Sequence, residues 1–191
     1  MTKDLASAKQ NELNVNPWVK WLFLASSLSQ VLYFIVWLMI QTEVIDSSEL
    51  NLSMAMNMSA RAILTLCATI LLLKCTDWKI KVCSWVVALN RFVVLLIVIP
   101  WIRTTFPGYM SLPEIFFYLV LLSDFFLITS KKVRKKSLLF LIALILLDFV
   151  SLTINLLHVT FSDLLIFWSY SVLMSSATGL CLFFFYKGLE K

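Results

Sequence analysis

Six long apolar runs follow one another along this chain of 191 residues, and they constrain its fold more than any other feature. A helix needs about 20 mostly apolar residues to cross the hydrocarbon core of a bilayer. The six runs approach or exceed that length, and they lie at residues 18–40, 54–73, 82–102, 113–129, 138–157 and 164–186. The pattern therefore predicts an all-α integral membrane protein, a bundle of about six transmembrane helices in three helical hairpins.

The composition agrees with this fold class. Hydrophobic residues make up 61% of the chain and charged residues only 14%, whereas charged residues reach about 25% in soluble domains. A soluble protein of this size could not bury so much apolar surface. We expect one transmembrane domain at residues 18–187, between a cytoplasmic arm at residues 1–17 and a short cytoplasmic tail at residues 188–191.

The basic residues predict how the bundle is oriented. Of the 16 lysines and arginines, 13 lie in or next to the N-terminal arm, the second and fourth loops and the tail, when Lys20 is counted with the arm and Lys187 with the tail. The first, third and fifth loops carry only Arg103, and the other two arginines lie within predicted spans. Cytoplasmic loops of membrane proteins are enriched in lysine and arginine. Both ends of the chain are therefore predicted to be cytoplasmic, in a multi-pass protein of a bacterial cytoplasmic (inner) membrane.

Several predicted spans contain ionisable residues, each of which costs about 2.5–3.5 kcal/mol at the centre of a span. Such residues normally face other helices or water. Helical spacing also places the side chains that follow Asp148 on one face of span five. The predicted intramembrane polar cluster comprises Gln30, Arg91, Asp124, Asp148, Ser151 and Asn155. Arg61 and His158 are assigned to the outer end of the bundle.

Two interpretations of this cluster remain open at the level of sequence. Arg91 and Asp148 lie at similar predicted depth, so they could form a structural ion pair that fixes the packing of the helices. In the other interpretation, Arg91, Asp148, Asn155 and His158 border a polar cavity or an ion path. Similar polar faces occur on span one, with Ser26 and Gln30, and on span two, with Asn57, Arg61 and Thr65.

Two further patterns concern packing and partners. Ser171, Ser175 and Gly179 recur every four residues, which lets helices approach closely; packing within the chain is favoured over a homo-oligomer seam. A basic loop is formed by Lys131, Lys132, Arg134, Lys135 and Lys136. Its expected partners are anionic lipids, at about 1 kcal/mol for each basic residue, and alternatively a cytosolic protein. No direct binding of nucleic acid is expected.

No catalytic motif is apparent. The chain lacks the H-E-x-x-H and G-x-S-x-G patterns, and it has one histidine. We therefore expect no enzyme activity, no catalytic or metal-binding residues and no cofactor. The first functional hypothesis is a non-enzymatic polytopic membrane subunit, acting as a sensor, an anchor or a pore-forming component that oligomerises or docks a cytosolic partner.

Two resemblances bear on function. In size, number of spans and position of its ends, the chain resembles the substrate-binding subunit of energy-coupling factor vitamin transporters. That resemblance implies a small-solute transporter component as the alternative function. The chain is also similar in size to small polytopic membrane subunits of bacterial phage-defence systems, such as the Kiwa type, which implies a defence or signalling complex. Neither resemblance rests on a residue motif, so no functional residue is carried over.

Overall fold

The computed structural model describes residues 15–44, 50–99, 112–130, 133, 135–156 and 164–189. These residues contain six α-helices, which confirms the prediction of an all-α bundle of about six helices. The helices are α1 (Trp18–Gln41), α2 (Leu50–Leu72), α3 (Trp78–Val98), α4 (Leu112–Ile128), α5 (Lys135–Leu156) and α6 (Leu164–Leu189). Five of them are long and apolar enough to cross a membrane, and α4 is the shorter one.

The six helices form a closed ring. Each helix packs against its neighbours in sequence, and α6 packs against α1. Contacts between α1 and α2 run from Ser26 with Thr65 to Gln30 with Asn57, so these two helices are antiparallel. The least extensive of the neighbouring contacts is the seam between α4 and α5. A ring of this kind leaves its centre to be filled by side chains or by a cavity.

The apolar core lies at one end of the ring, where α1, α3 and α5 begin and where α2, α4 and α6 end. Val19, Leu72, Ile80, Leu141 and Phe185 are all buried there. The same end carries the basic residues Lys20, Lys74, Lys79, Lys81, Lys135, Lys136 and Lys187. We call it the basic end of the bundle. Its packed core separates the centre of the ring from the basic residues.

Hydrogen bonds at the basic end join the start of α3 to the end of α4. Asp77 caps α3 by accepting from the backbone N–H of Lys79 at 2.8 Å, a position where aspartate is strongly preferred. Its other carboxylate oxygen accepts from the Ser130 hydroxyl at 2.6 Å. The Lys79 ammonium donates to the Thr129 carbonyl at 2.8 Å and lies 4.9 Å from the centre of the Phe126 ring. These contacts hold α3 and α4 together at the end opposite their connecting loop.

Two glycines of α6 sit where a neighbouring helix comes very close. A Cβ at residue 179 would overlap both the Cβ and the Oγ of Ser27 on α1. A Cβ at residue 188 would overlap the Oγ of Ser137 on α5, and would lie 3.3 Å from its Cβ. The Ser137 hydroxyl is buried and has no hydrogen-bond partner among the described residues. Glycine therefore sets the spacing of α6 from both neighbours in the ring.

Substitution of these two glycines should give different patterns of rescue. Gly179→Ala and Gly188→Ala should each destabilise the protein by about 1–3 kcal/mol, since overpacking forces backbone shifts. Ser137→Ala should rescue Gly188→Ala, because it removes the hydroxyl that overlaps and no hydrogen bond is lost. Ser27→Ala should not rescue Gly179→Ala, because the Cβ of residue 27 remains. Thermal unfolding in detergent would measure all four variants, and equal rescue at both sites would contradict the packing described here.

Candidate functional site

A cavity of about 370 Å³ occupies the centre of the ring. All six helices contribute to its wall, and its charged lining residues are Arg61, Arg91, Asp124 and Asp148. We call it the central cavity. Ligand sites are commonly cavities of about 300–1,000 Å³ with apolar walls and a few well-placed polar groups. The central cavity falls within that range and combines two arginines and two aspartates with aromatic side chains.

Gln30 is the centre of a hydrogen-bonded group that joins three helices, which we call the Gln30 cluster. Its side chain on α1 is 3% exposed, and its amide oxygen accepts from Arg61 at 2.6 Å and from Asn57 at 3.2 Å, both on α2. Its amide nitrogen donates to the Ser171 hydroxyl on α6 at 3.1 Å. Arg61 also donates to the Ser175 hydroxyl on α6 at 3.0 Å. The cluster therefore closes the ring at α1, α2 and α6.

The backbone beside Arg61 is held as well. The Thr65 hydroxyl donates to the Arg61 carbonyl at 2.8 Å, and the Ser26 hydroxyl lies 2.9 Å from the Thr65 hydroxyl and 3.1 Å from the same carbonyl. These contacts fix the backbone of α2 at Arg61 against α1. Both side-chain acceptors of its guanidinium, Gln30 and Ser175, are neutral groups. Hydrogen bonding therefore orients this cation without cancelling its charge.

Asp124 on α4 and Asp148 on α5 form a carboxyl pair across the α4–α5 seam. Their side chains are hydrogen-bonded to one another, and Asp124 is 7% exposed. A carboxylate is only an acceptor, so this bond requires a proton on one of the two groups. Two carboxylates in contact share a proton in the same way in aspartic proteases. While this hydrogen bond is formed, the pair carries one proton and a single negative charge.

Arg91 on α3 is the second cation of the central cavity. Its Nε is buried and has no hydrogen-bond partner within the described part of the chain. Arg91 interacts electrostatically with Asp148 and with Arg61. A buried donor without an acceptor is costly, and the groups that line a cavity can be satisfied by a bound molecule. Two guanidinium groups and one singly charged carboxyl pair leave the cavity with an excess of one positive charge.

The structure brings most of the predicted polar cluster together. Arg91, Asp124, Asp148 and Ser151 line the central cavity. Gln30 is joined to the cavity wall by its hydrogen bond with Arg61. The sequence pattern had assigned Arg61 to the outer end of the bundle. Asp148 is hydrogen-bonded to Asp124, and Arg91, which one interpretation of the sequence offered as its ion-pair partner, interacts with it electrostatically.

Of the remaining predicted residues, Ser171 and Ser175 also line the central cavity, and the others lie away from its wall or outside the described residues. Ser171 and Ser175 bind α1 and α2 within the chain, and Gly179 contacts Ser27. Lys135 and Lys136 are exposed at the start of α5. The residues whose side chains lie outside the described part are Asn155, His158, Lys131, Lys132 and Arg134.

Asn90 is among the polar residues of the cavity that the sequence analysis missed. Asn90 on α3 is buried and lines the central cavity beside Arg91. An asparagine in the middle of an apolar run is the signal that could have found it, because unsatisfied amides are costly in hydrocarbon. Ser26, Asn57 and Thr65 were placed on polar helix faces, but not assigned to the site.

The chemistry of the cavity suits the binding of an anionic group by arginine. Guanidinium groups bind carboxylates and other oxyanions through paired, charge-assisted hydrogen bonds. Among the described residues, no group of three or more histidine, cysteine, aspartate or glutamate side chains could hold a metal ion. Comparison with protein-family models, with curated proteins and with solved structures finds no match to the chain.

Proposed function

We propose that this protein is a multi-pass membrane protein whose central cavity binds a small organic monoanion, as a solute receptor or as a component of a carrier. The observation that carries the proposal is the excess of one positive charge in a cavity enclosed by six helices. Arg61 supplies a fixed cation, and Arg91 adds a buried N–H that lacks an acceptor among the described residues. A single negative charge on the solute would neutralise the excess positive charge, and its oxygen atoms could accept a hydrogen bond from Arg91.

The wall of the cavity favours a solute with an apolar body. Phe23, Phe117, Phe167 and Met174 line it together with the arginines. Aromatic and thioether side chains pack well against hydrocarbon and aromatic groups. The solute class that fits both parts of the lining is a monocarboxylate with an aromatic or aliphatic body.

Placement in a membrane is supported by the surface of the bundle. Large apolar side chains are exposed around the ring, among them Leu32, Ile70, Phe92, Leu122, Leu146 and Leu173. Trp18 and Trp78 are 66% and 61% exposed at the basic end, where an interfacial aromatic belt would lie. With the basic end in the cytoplasm, the apolar core separates the central cavity from that side.

This orientation predicts the result of reporter fusions. A cytoplasmic reporter should be active when fused after Lys191, and a periplasmic reporter should be active when inserted at Asp46. The physical reason is the retention of lysine-rich segments on the cytoplasmic side. A C-terminal reporter that is active only outside the cytoplasm would contradict the orientation, but not the cavity.

Calorimetry on the purified protein in mild detergent tests the proposed binding. Benzoate and hexanoate are the probes, and benzamide is the neutral control of nearly the same shape as benzoate. At least one carboxylate should bind, and benzamide should bind at least about tenfold more weakly than benzoate, since a charge-assisted hydrogen bond contributes about 1.5–3 kcal/mol.

Arg91→Gln should weaken carboxylate binding at least about tenfold, for the same reason. Lys81→Gln is the matched control, because it removes one positive charge from an exposed position at the basic end. It should leave binding unchanged. The proposal is wrong if neither carboxylate binds, if benzamide binds as well as benzoate, or if both substitutions have the same effect.

A further inference from the structure

The carboxyl pair occupies an unusual place in the ring. It bridges the least extensive seam between neighbouring helices, that of α4 and α5. It also lines the same cavity as the two arginines. A bond that only held α4 to α5 would not need a proton that can dissociate. The carboxyl pair faces a cavity, so its shared proton can leave. Intramembrane carboxyl groups with this kind of access commonly serve as proton sites.

We propose that the Asp124–Asp148 pair is a proton-binding site that couples anion binding in the central cavity to the uptake of one proton. The inference rests on the proposed function, because it concerns the charge that an anion meets in the same cavity. The proton comes from water, adds to one carboxylate oxygen, and forms the hydrogen bond between the two side chains. No other bond forms or breaks.

The balance of charge gives the direction of the coupling. With one proton on the pair, the two guanidinium groups exceed the pair by one positive charge. Without that proton, two carboxylates cancel two guanidinium groups, and the excess that attracts an anion is lost. Charges interact more strongly here than in water, because the effective dielectric constant inside a protein is lower. An anion therefore binds better when the pair is protonated, and by linkage its binding promotes proton uptake.

The surroundings of the pair come from several helices. Asp124 interacts electrostatically with Cys83 on α3 and with Tyr186 on α6. Asp148 interacts with Arg91 on α3 and with Cys181 on α6. The other ionisable groups on the cavity wall are Arg61 and Tyr170. Arginine keeps its charge across the ordinary pH range, while thiols and phenols are ordinarily neutral at neutral pH, so the carboxyl pair is the group whose charge changes with pH.

The variant that isolates the pair is Asp124→Asn. An asparagine amide donates a hydrogen bond to Asp148 without a proton that can be lost, and the negative charge stays on the residue that interacts with Arg91. With Asp148 ionised, the variant has the same charge as the protonated pair and no shared proton to lose. Asp148→Asn is the reciprocal variant, in which the amide donates to Asp124.

Titration calorimetry with benzoate, from about pH 5.5 to about pH 8.5, tests the coupling over a range in which paired carboxyl groups titrate. Benzoate itself stays ionised throughout. In the wild type, affinity should fall by about tenfold for each pH unit once the free pair has lost its proton. Parallel titrations in buffers of different ionisation enthalpy should show close to one proton taken up at the upper end. Asp124→Asn or Asp148→Asn should show neither effect.

Each outcome separates this inference from the proposed function. Benzoate affinity that is independent of pH, with no proton uptake, would overturn the coupling and leave the binding site intact. An Asp124→Asn or Asp148→Asn protein that keeps the pH dependence of the wild type would also overturn it, since the proton would bind elsewhere. If neither carboxylate probe bound at any pH, the proposed function itself would fail. The proton count in the wild type decides the matter even if both variants misfold.

Discussion

Gln30→Leu is expected to reduce the free energy of unfolding by about 3–5 kcal/mol, the range found when one partner of a buried charged interaction is removed. The substitution removes the acceptor of Arg61 and Asn57, together with the donor to Ser171. Leucine is no smaller in volume than glutamine, so the loss reflects unsatisfied polar groups more than a cavity. Unfolding by denaturing detergent, followed by far-ultraviolet circular dichroism, would measure it.

Gln30→Glu, unlike Gln30→Leu, should not reduce the free energy of unfolding. A carboxylate accepts from Arg61 and Asn57 as the amide does, and the Ser171 hydroxyl can reverse its hydrogen bond and donate. Stability should therefore equal or exceed that of the wild type. The added negative charge would cancel the positive excess of the central cavity, so benzoate binding should be lost. A folded protein that no longer binds the anion would separate the charge of the cluster from its structural role.

Ser29→Ala is the control for both substitutions. Ser29 is next to Gln30 on α1, but its hydroxyl donates to the Ser26 carbonyl of the same helix at 2.7 Å. Loss of such a local bond should change stability by less than about 1 kcal/mol. If Gln30→Leu proved as mild as Ser29→Ala, the Gln30 cluster would not be holding the ring together.

The second large effect is expected at the carboxyl pair, where a double-mutant cycle should show strong coupling. Asp124→Leu and Asp148→Leu should each destabilise the protein by about 1–3 kcal/mol, because each leaves the other carboxyl group without its hydrogen bond. The double variant should recover much of that loss, as the replacement of both members of a buried polar pair by apolar residues often does. The coupling energy should lie near the upper part of the 0.5–3 kcal/mol range seen for residues in contact.

The cycle between Arg91→Leu and Asp148→Leu is the comparison. These residues interact electrostatically, but the hydrogen bond of Asp148 is made to Asp124. Their coupling energy should therefore be smaller than that of the two aspartates. A larger coupling between Arg91 and Asp148 would favour the ion pair suggested by the sequence and would weaken the case for a shared proton.

Apolar run length was sufficient to predict six helices, because helix length in a bilayer is fixed by its thickness and by the rise per residue. Run length carries no information on which helices meet. Arg61 shows the consequence. It lies near the middle of α2, as Gln30 does in α1, but only the packing of α2 on α1 shows that the two side chains meet. The bounds of α2 were also hard to predict, because a polar first half lowers its hydropathy; the helix begins at Leu50, before the predicted start at residue 54.

The partner of Asp148 shows a second limit. The sequence suggested Arg91 because opposite charges at similar predicted depth attract, and it placed Asp124 in the same polar cluster without pairing it with Asp148. Helix tilt and side-chain length can shift a depth counted along the sequence by one helical turn. A contact between two acidic residues is also hard to predict from sequence. It is stable only when one of the two carboxyl groups holds a proton, and the sequence does not show protonation.

Closure of the ring by α6 has a consequence for biosynthesis. During co-translational insertion α1 and α2 emerge early, and Gln30 and Arg61 can find each other at once. Their remaining partners, Ser171 and Ser175, belong to the last of the six described helices. Until that helix is inserted, a half-satisfied arginine lies on the lateral face of an incomplete bundle, where an ionisable group without its partners is costly. A chain that stops before α6 should therefore be degraded rapidly, and α6 expressed as a separate segment should protect it.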